Sequence, residues 1–189
     1  YILAEAGFRP IVIERGSRVE KRTCDVQKFW ESGILNPKSN VQFGEGGAGT
    51  FSDGKLNTSV KDPSGRNRLV LETFVRFGAD PSILYDNKPH IGTDVLSEVI
   101  VNMREFLVDK GTTFIFDTCV NNLDIVSQKL LSVYTYSDSN SNSEIKTDVC
   151  VLALSDTAPE IHLICFTIKA LIWNARALQS AFAWSIRSA

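Results

Sequence analysis

Leu3–Gly16 reads LAEAGFRPIVIERG, and this stretch decides the fold. Leu3 and Ala6 stand one turn apart, so Tyr1–Ala6 is read as the last turns of a helix. Gly7 supplies the left-handed residue that commonly follows a helix end. Phe8–Pro10 turn the chain into Ile11-Val12-Ile13, a short buried apolar strand, and Glu14-Arg15-Gly16 close it. Helix, glycine, strand and terminal acid form the second half of a βαβ unit. The first strand and its glycine-rich turn are expected upstream of Tyr1.

Working outward, Ser17–Asn40 is polar and reads as irregular, with one amphipathic turn around Val26–Trp30. Phe43–Leu56, FGEGGAGTFSDGKL, holds five of the chain's 12 glycines. Arg66–Gly78 reads as a helix with Leu69, Val70, Phe74 and Phe77 on its apolar side, and Asp80-Pro81 as a turn. Thr93–Lys110 reads as a second helix, N-capped by Thr93 and ended by Gly111. Its Leu96, Val99, Ile100, Met103 and Leu107 recur at helical spacing. Strands are expected at Thr112–Phe116, Cys119–Val126 and Lys129–Tyr136. Ser137–Glu144 is expected to be a solvated loop, and Val149–Leu154 a further apolar strand. The expected class is α/β, a parallel nucleotide-binding sheet joined by an antiparallel crossover sheet.

Composition narrows the field. Apolar residues make up 43% and charged residues 22%, enough for a packed core. Twenty Lys and Arg against 22 Asp and Glu give a net charge of -2, which argues against electrostatic nucleic-acid binding. Cys24, Cys119, Cys150 and Cys165 make no CxxC pair, so a reducing compartment is expected rather than a disulfide framework or zinc site. His90 and His162 stand too far apart to suggest a metal pair. Ile161–Trp173 is short of the roughly 20 apolar residues a membrane helix needs. No charged-then-apolar leader is visible, and the cytoplasm or an organelle, a plastid included, is the expected location.

Two groups of residues carry chemistry. Glu14 ends the strand after the first helix, where an acid in a dinucleotide-binding unit accepts hydrogen bonds from ribose hydroxyls. On spacing alone a solvated acid at a strand end is the favoured reading. Gly44, Gly46, Gly47 and Gly49 let backbone N–H groups approach a ligand, in the manner of phosphate-cradling loops. GxxxxGK[ST] is not matched, and a flexible surface loop is the competing reading. Thr50, Ser52, Asp53 and Lys55 add donors, an acceptor and a positive charge. Phe43, Phe51 and Leu56 interleave with the glycines and are expected to tuck the loop in. His90, in KPHIGTD, is read as structural or substrate-orienting. Asp117 and Asp124 are read as solvated, and Cys119 and Cys150 as buried spacers.

Together, LAEAGFRPIVIERG, FWESGILNPKSNVQFGEGGAGTFSDGKL and KPHIGTD resemble a family of FAD-dependent dehydrogenases of uncharacterised substrate. These have the glutathione-reductase-type FAD fold and are related to the NAD(P)/FAD-dependent oxidoreductases. The resemblance runs over Tyr1–Leu154. It implies FAD as cofactor, with NAD(P)H as an electron partner and a small-molecule substrate. It also implies that Glu14 binds the ribose, that Arg15 flanks the adenosine, and that Gly44–Lys55, Gly54 included, lies along the flavin side. Val120 would then face the adenine, and Asp148–Leu154 would lead back to the cofactor. No catalytic base is implied.

After Leu154 the family continues with Gly and HSARD, where this chain has Ser155-Asp156. Residues 1–154 are therefore expected to be a partial FAD-binding domain. Residues 155–189 are expected to be a non-family tail read out of frame. The competing readings are a non-catalytic remnant and a nucleotide-binding module without activity.

Overall fold

Gly7, with φ of 85°, turns the chain out of a short first helix, α1 (Ile2–Glu5), and into strand β1 (Ile11–Ile13). The computed structural model describes residues 1–52, 54–56, 62–137 and 141–153. β1 pairs in parallel with β2 (Thr113–Ile115), in the register Ile11↔Thr113, Val12↔Phe114 and Ile13↔Ile115. Everything between these two strands is their crossover. The chain divides into two units, Tyr1–Thr118 and a second beginning at Cys119.

The crossover opens on α2 (Val19–Ser32), a 14-residue helix where an irregular stretch was expected. Its buried residues are Val19, Arg22 and Val26, so one inward position is charged and the apolar stripe is interrupted. Gly33, at φ 71°, ends the helix in the left-handed conformation, and its N–H donates to the Phe29 carbonyl at 2.8 Å. α3 (Arg66–Arg76) and α4 (Thr93–Asp109) follow as expected, with changed detail. Leu69 and Val70 are 42% and 48% exposed, whereas Phe74 and Phe77 pack inward as expected, joined by Leu71 and Val75. Gly92, not Thr93, is the N-cap of α4, and Lys110 its C-cap, with Gly111 at φ 89° just beyond. Asp80 caps a 3-10 turn, Pro81–Leu84, by accepting from the Ser82 N–H at 2.7 Å.

The core of this unit lies among α3, the 3-10 turn and α4. Phe77, Ala79, Ile83, Ile91, Leu96 and Val99 form its buried centre. β1 departs from expectation: Ile11 is 48% and Val12 38% exposed. A parallel strand is buried when it has neighbours on both edges and layers on both faces. Among the described residues, β1 has β2 alone as a strand neighbour.

The second unit is a three-stranded sheet in the order β3 (Thr118–Val126), β4 (Lys129–Ser137), β5 (Asn142–Lys146). Ser127 and Gln128 both take positive φ, 49° and 65°, as a tight two-residue hairpin demands. β4 and β5 are antiparallel, with Val133 opposite Ile145. Asn142–Glu144, expected in the loop, belong to β5. Cross-strand pairing recruits them, including a 2.5 Å bond from the Ser132 hydroxyl to Glu144. The strand expected from Val149 is not formed over residues 149–153, and Val149 and Val151 are 61% and 62% exposed. An apolar run becomes a strand only where another backbone pairs with it, and among the described residues none does. Leu154 and the expected out-of-frame tail, residues 155–189, lie outside the described residues.

The protein is thus mixed α/β, with a small parallel sheet and a separate antiparallel one. No helix among the described residues is long and apolar enough to cross a membrane.

Candidate functional site

The end of β1 is a junction. The Glu14 N–H donates to the Ile115 carbonyl at 2.9 Å, and the Glu14 carbonyl accepts from Thr118 at 3.1 Å. Its carboxylate does not simply face water. Oε1 accepts the Gly16 N–H at 2.8 Å and the Gly44 N–H at 3.1 Å. Gly16 and Gly44 meet backbone to backbone, so a Cβ on Gly16 would stand 2.6 Å from the Gly44 Cα. The two segments singled out in the sequence, 30 residues apart at these bonds, are one structure. Arg15 lays its guanidinium over the Phe43 ring at 4.5 Å, and its Nε is buried without a hydrogen-bond partner.

The glycine-rich segment is anchored at both ends and open at its crest. Asn40 shapes the approach, its Oδ1 accepting the N–H groups of Gln42 at 2.8 Å and Phe43 at 3.2 Å. Gly44 is buried, with φ 124°. Gly46, Gly47 and Gly49 are exposed, and Ala48–Phe51 form a single 3-10 turn. Thr50 is buried within that turn, and its hydroxyl has no hydrogen-bond partner. Ser52 is exposed and donates to the Gly49 carbonyl at 3.1 Å. Asp53 lies outside the described residues.

The segment then reaches KPHIGTD. Lys55 bridges to His90, the Leu56 N–H donates to the Pro89 carbonyl at 3.0 Å, and the Ile91 N–H to the Gly54 carbonyl at 2.9 Å. Gly54, at φ 71°, lies so close to the Ile91 carbonyl that a side chain there would collide with it. His90 itself is exposed. Phe43, Phe51 and Leu56 are half-buried, and with Thr50, Gly44 and Gly54 they seat the loop.

Several residues of this junction carried no visible signal. Arg22, fully buried, donates through Nε to the Asn40 carbonyl at 2.8 Å, Nη1 to Glu45 at 2.7 Å and Nη2 to Val41 at 2.9 Å. It also stacks on Phe51 at 4.8 Å. Burial pushes its pKa down to about 10, against the opposing pull of Glu14 and Glu45. Glu45 Oε2 accepts from the Val19 N–H at 2.8 Å and from Arg104 at 2.5 Å. Burial raises the Glu45 carboxyl above its ordinary range, and those two bonds only partly offset it. Asp117 is exposed, as expected of a solvated acid, and also accepts from the Ser17 hydroxyl at 2.5 Å, while Lys21 donates to the same hydroxyl at 2.7 Å. The pattern β1–acid–Gly–Ser could have pointed to Ser17, which is fully buried at the turn.

Val120 is half-buried on β3 in the second unit, and Asp124 is half-buried on the same strand. Cys24 is exposed; Cys119 and Cys150 are half-buried rather than buried, and burial pushes the Cys150 thiol up. A groove of about 270 Å³ between α2 and α4, lined by Glu20, Thr23, Ser97, Glu98 and Asn102, includes none of the expected site residues. Among the described residues no group of His, Cys, Asp and Glu could hold a metal ion.

No family model matches the chain. An uncharacterized protein of Clostridium beijerinckii is 41% identical over 160 residues, which is 85% of this chain and 29% of that protein. The chain therefore spans less than a third of this relative's length. A solved structure of Kutzneria sp. 744 ornithine N-hydroxylase, with reduced FAD, NADP+ and L-ornithine, matches with 11% identity and a TM-score of 0.29. That match covers 79% of this chain and 36% of the hydroxylase chain.

Proposed function

We propose that this chain is part of an FAD-dependent oxidoreductase acting on a small-molecule substrate. The observation that carries the reading is the Glu14 carboxylate, which sits at the end of the parallel strand and takes N–H groups from both Gly16 and Gly44. A merely solvated acid would not be clamped between strand end and glycine loop. Two buried polar atoms without protein partners, Arg15 Nε next to Glu14 in the chain and Thr50 Oγ1 in the glycine-rich segment, leave polar capacity for a ligand.

The division of labour follows from the chain's own groups. Glu14 Oε1 is held by backbone donors, which fixes the carboxylate, and Oε2 is assigned to the ribose hydroxyls. Arg15 offers Nε to the adenosine side. Gly46, Gly47 and Gly49, without side chains, allow close approach of backbone to the flavin side, flanked by Ser52, Asp53, Gly54 and Lys55. When bound, FAD supplies the hydride chemistry, with NAD(P)H as its electron partner. Catalytic groups are unassigned.

The test is FAD titration of the purified full-length protein that carries this chain, followed by flavin fluorescence. Glu14→Ala is expected to weaken binding by about 1–3 kcal/mol, the usual cost of losing a hydrogen bond to a charged group. An unchanged dissociation constant removes Glu14 from the site. No saturable FAD binding overturns the flavin reading. FAD binding without reduction by NAD(P)H would favour a nucleotide-binding module.

A further inference from the structure

Gly44, Gly46, Gly47 and Gly49 crowd one short stretch, and glycine loses more conformational freedom on ordering than any other residue. Something must hold this stretch, and α4 meets it on two consecutive turns. Ile100 and Arg104 are four residues apart and so share a face of α4. The Ile100 Cδ1 lies against Gly46, where a Cβ would collide with it. One turn later, Arg104 Nη1 donates to Glu45 Oε2 at 2.5 Å.

Arg104 is itself braced. It donates to both carboxylate oxygens of Glu20 on α2, the Nη1–Oε2 bond being 3.1 Å. The same helix carries Arg22, whose guanidinium holds the carbonyls of Asn40, Val41 and Glu45. Glu45 has two further ties, from the Val19 N–H to its carboxylate and from its own N–H to the Ser17 carbonyl at 3.1 Å. The Arg104 and Glu45 side chains are 12% and 10% exposed, so water competes little for the pair. A surface ion pair would fix nothing.

We propose that Arg104 is a positioning residue that, through Glu45, sets the conformation of the glycine crest Gly46–Gly49. Its consequence for binding rests on the reading that this crest faces a flavin nucleotide; the ordering of the crest does not. α4 thereby carries the loop at its base through charge and at its first crest residue through packing.

The experiment is amide hydrogen exchange on the 189-residue chain, comparing wild type with Arg104→Met and Arg104→Lys. The reporting amides are Gly44, Glu45 and Gly47, bonded to Glu14, Ser17 and Gly44 respectively. In Arg104→Met they are expected to exchange about tenfold faster or more, because opening of the loop becomes easier. The Glu14 and Thr113 amides of the parallel pair should keep their rates, and Arg104→Lys should recover part of the protection. Unchanged rates at Gly44 and Glu45 overturn the proposal.

If Arg104→Met does not fold, Glu45→Gln removes the partner charge while still offering the Val19 N–H an acceptor, and the same local acceleration is expected. Unchanged rates in that variant also overturn it. FAD titration of the full-length protein carrying the same substitutions separates the two readings. Faster exchange with an unchanged FAD dissociation constant overturns the role of Arg104 in binding. If the full-length wild type binds no FAD, the flavin reading falls, and the exchange rates still decide the ordering.

Discussion

Gly16 and Gly44 show how little room the junction leaves. Gly16 does not have a left-handed φ, so an alanine there has no backbone strain, only a collision. Its Cβ would meet Gly44 Cα and N at 2.6 Å and the Phe43 carbonyl carbon at 2.9 Å, all backbone atoms that cannot rotate away. Gly16→Ala is expected to destabilise the first unit by about 1–3 kcal/mol, the usual cost of overpacking. Gly49→Ala is the matched control. Nothing lies within 4 Å of its Cβ and its φ is not positive, so a change within about 0.5 kcal/mol is expected. Urea denaturation of both variants checks the pair; equal losses would mean the backbone contact is not tight. The place of Glu14 at a strand end was legible from the apolar run before it, but its bonds to the Gly16 and Gly44 N–H groups were not. Arg22 was not, since nothing in a polar stretch marks which arginine turns inward to collect three carbonyls.

At the scale of elements, α2 teaches the same lesson. Its inward positions are Val19, Arg22 and Val26, while Trp30 is 64% exposed and packs on Phe51 edge to face at 6.3 Å. An apolar-periodicity reading skips a helix whose buried face contains arginine and whose exposed face contains tryptophan. α3 and α4 were legible because their apolar residues are dense, although in α3 Leu71 and Val75 turn inward with Phe74 where Leu69 and Val70 were expected. The strand at Ile11–Ile13 was legible from local chemistry, but its burial depends on neighbours that local sequence does not specify. Residues 149–153 failed for the same physical reason. The C-terminal signal of α2 was plain in retrospect. Gly33 is left-handed with open space around it, so Gly33→Ala isolates backbone strain from packing. A loss of about 1 kcal/mol is expected, from the cost of a left-handed conformation for a residue bearing Cβ. Thermal unfolding checks it, and no shift would mean the helix end frays without penalty.

For the molecule as a whole, acid titration should expose two opposing sets of carboxylates. Hydrogen bonds hold four of them below their ordinary values: Glu5 with Arg76, Glu20 with Arg104, Asp62 with the Asn67 N–H and Asp80 with the Ser82 N–H. A depressed folded pKa contributes stability above the unfolded value, 4.5 for the two Glu and 3.8 for the two Asp, and loses it as pH falls through the folded value. Glu45 works the other way. Burial raises its carboxyl above 4.5, so its contribution is complete below 4.5 and declines as pH rises through the folded value. Falling pH therefore weakens the four exposed or half-exposed pairs while relieving the buried one. Glu45→Gln removes the relief and keeps the rest. The stability difference between wild type and Glu45→Gln is expected to shift in favour of wild type as pH drops from about 7 to about 4. Urea midpoints measured at stepped pH test this. A difference that stays constant, or moves toward the variant, would mean that the Arg104 and Val19 bonds outweigh burial at Glu45 and hold it ionised.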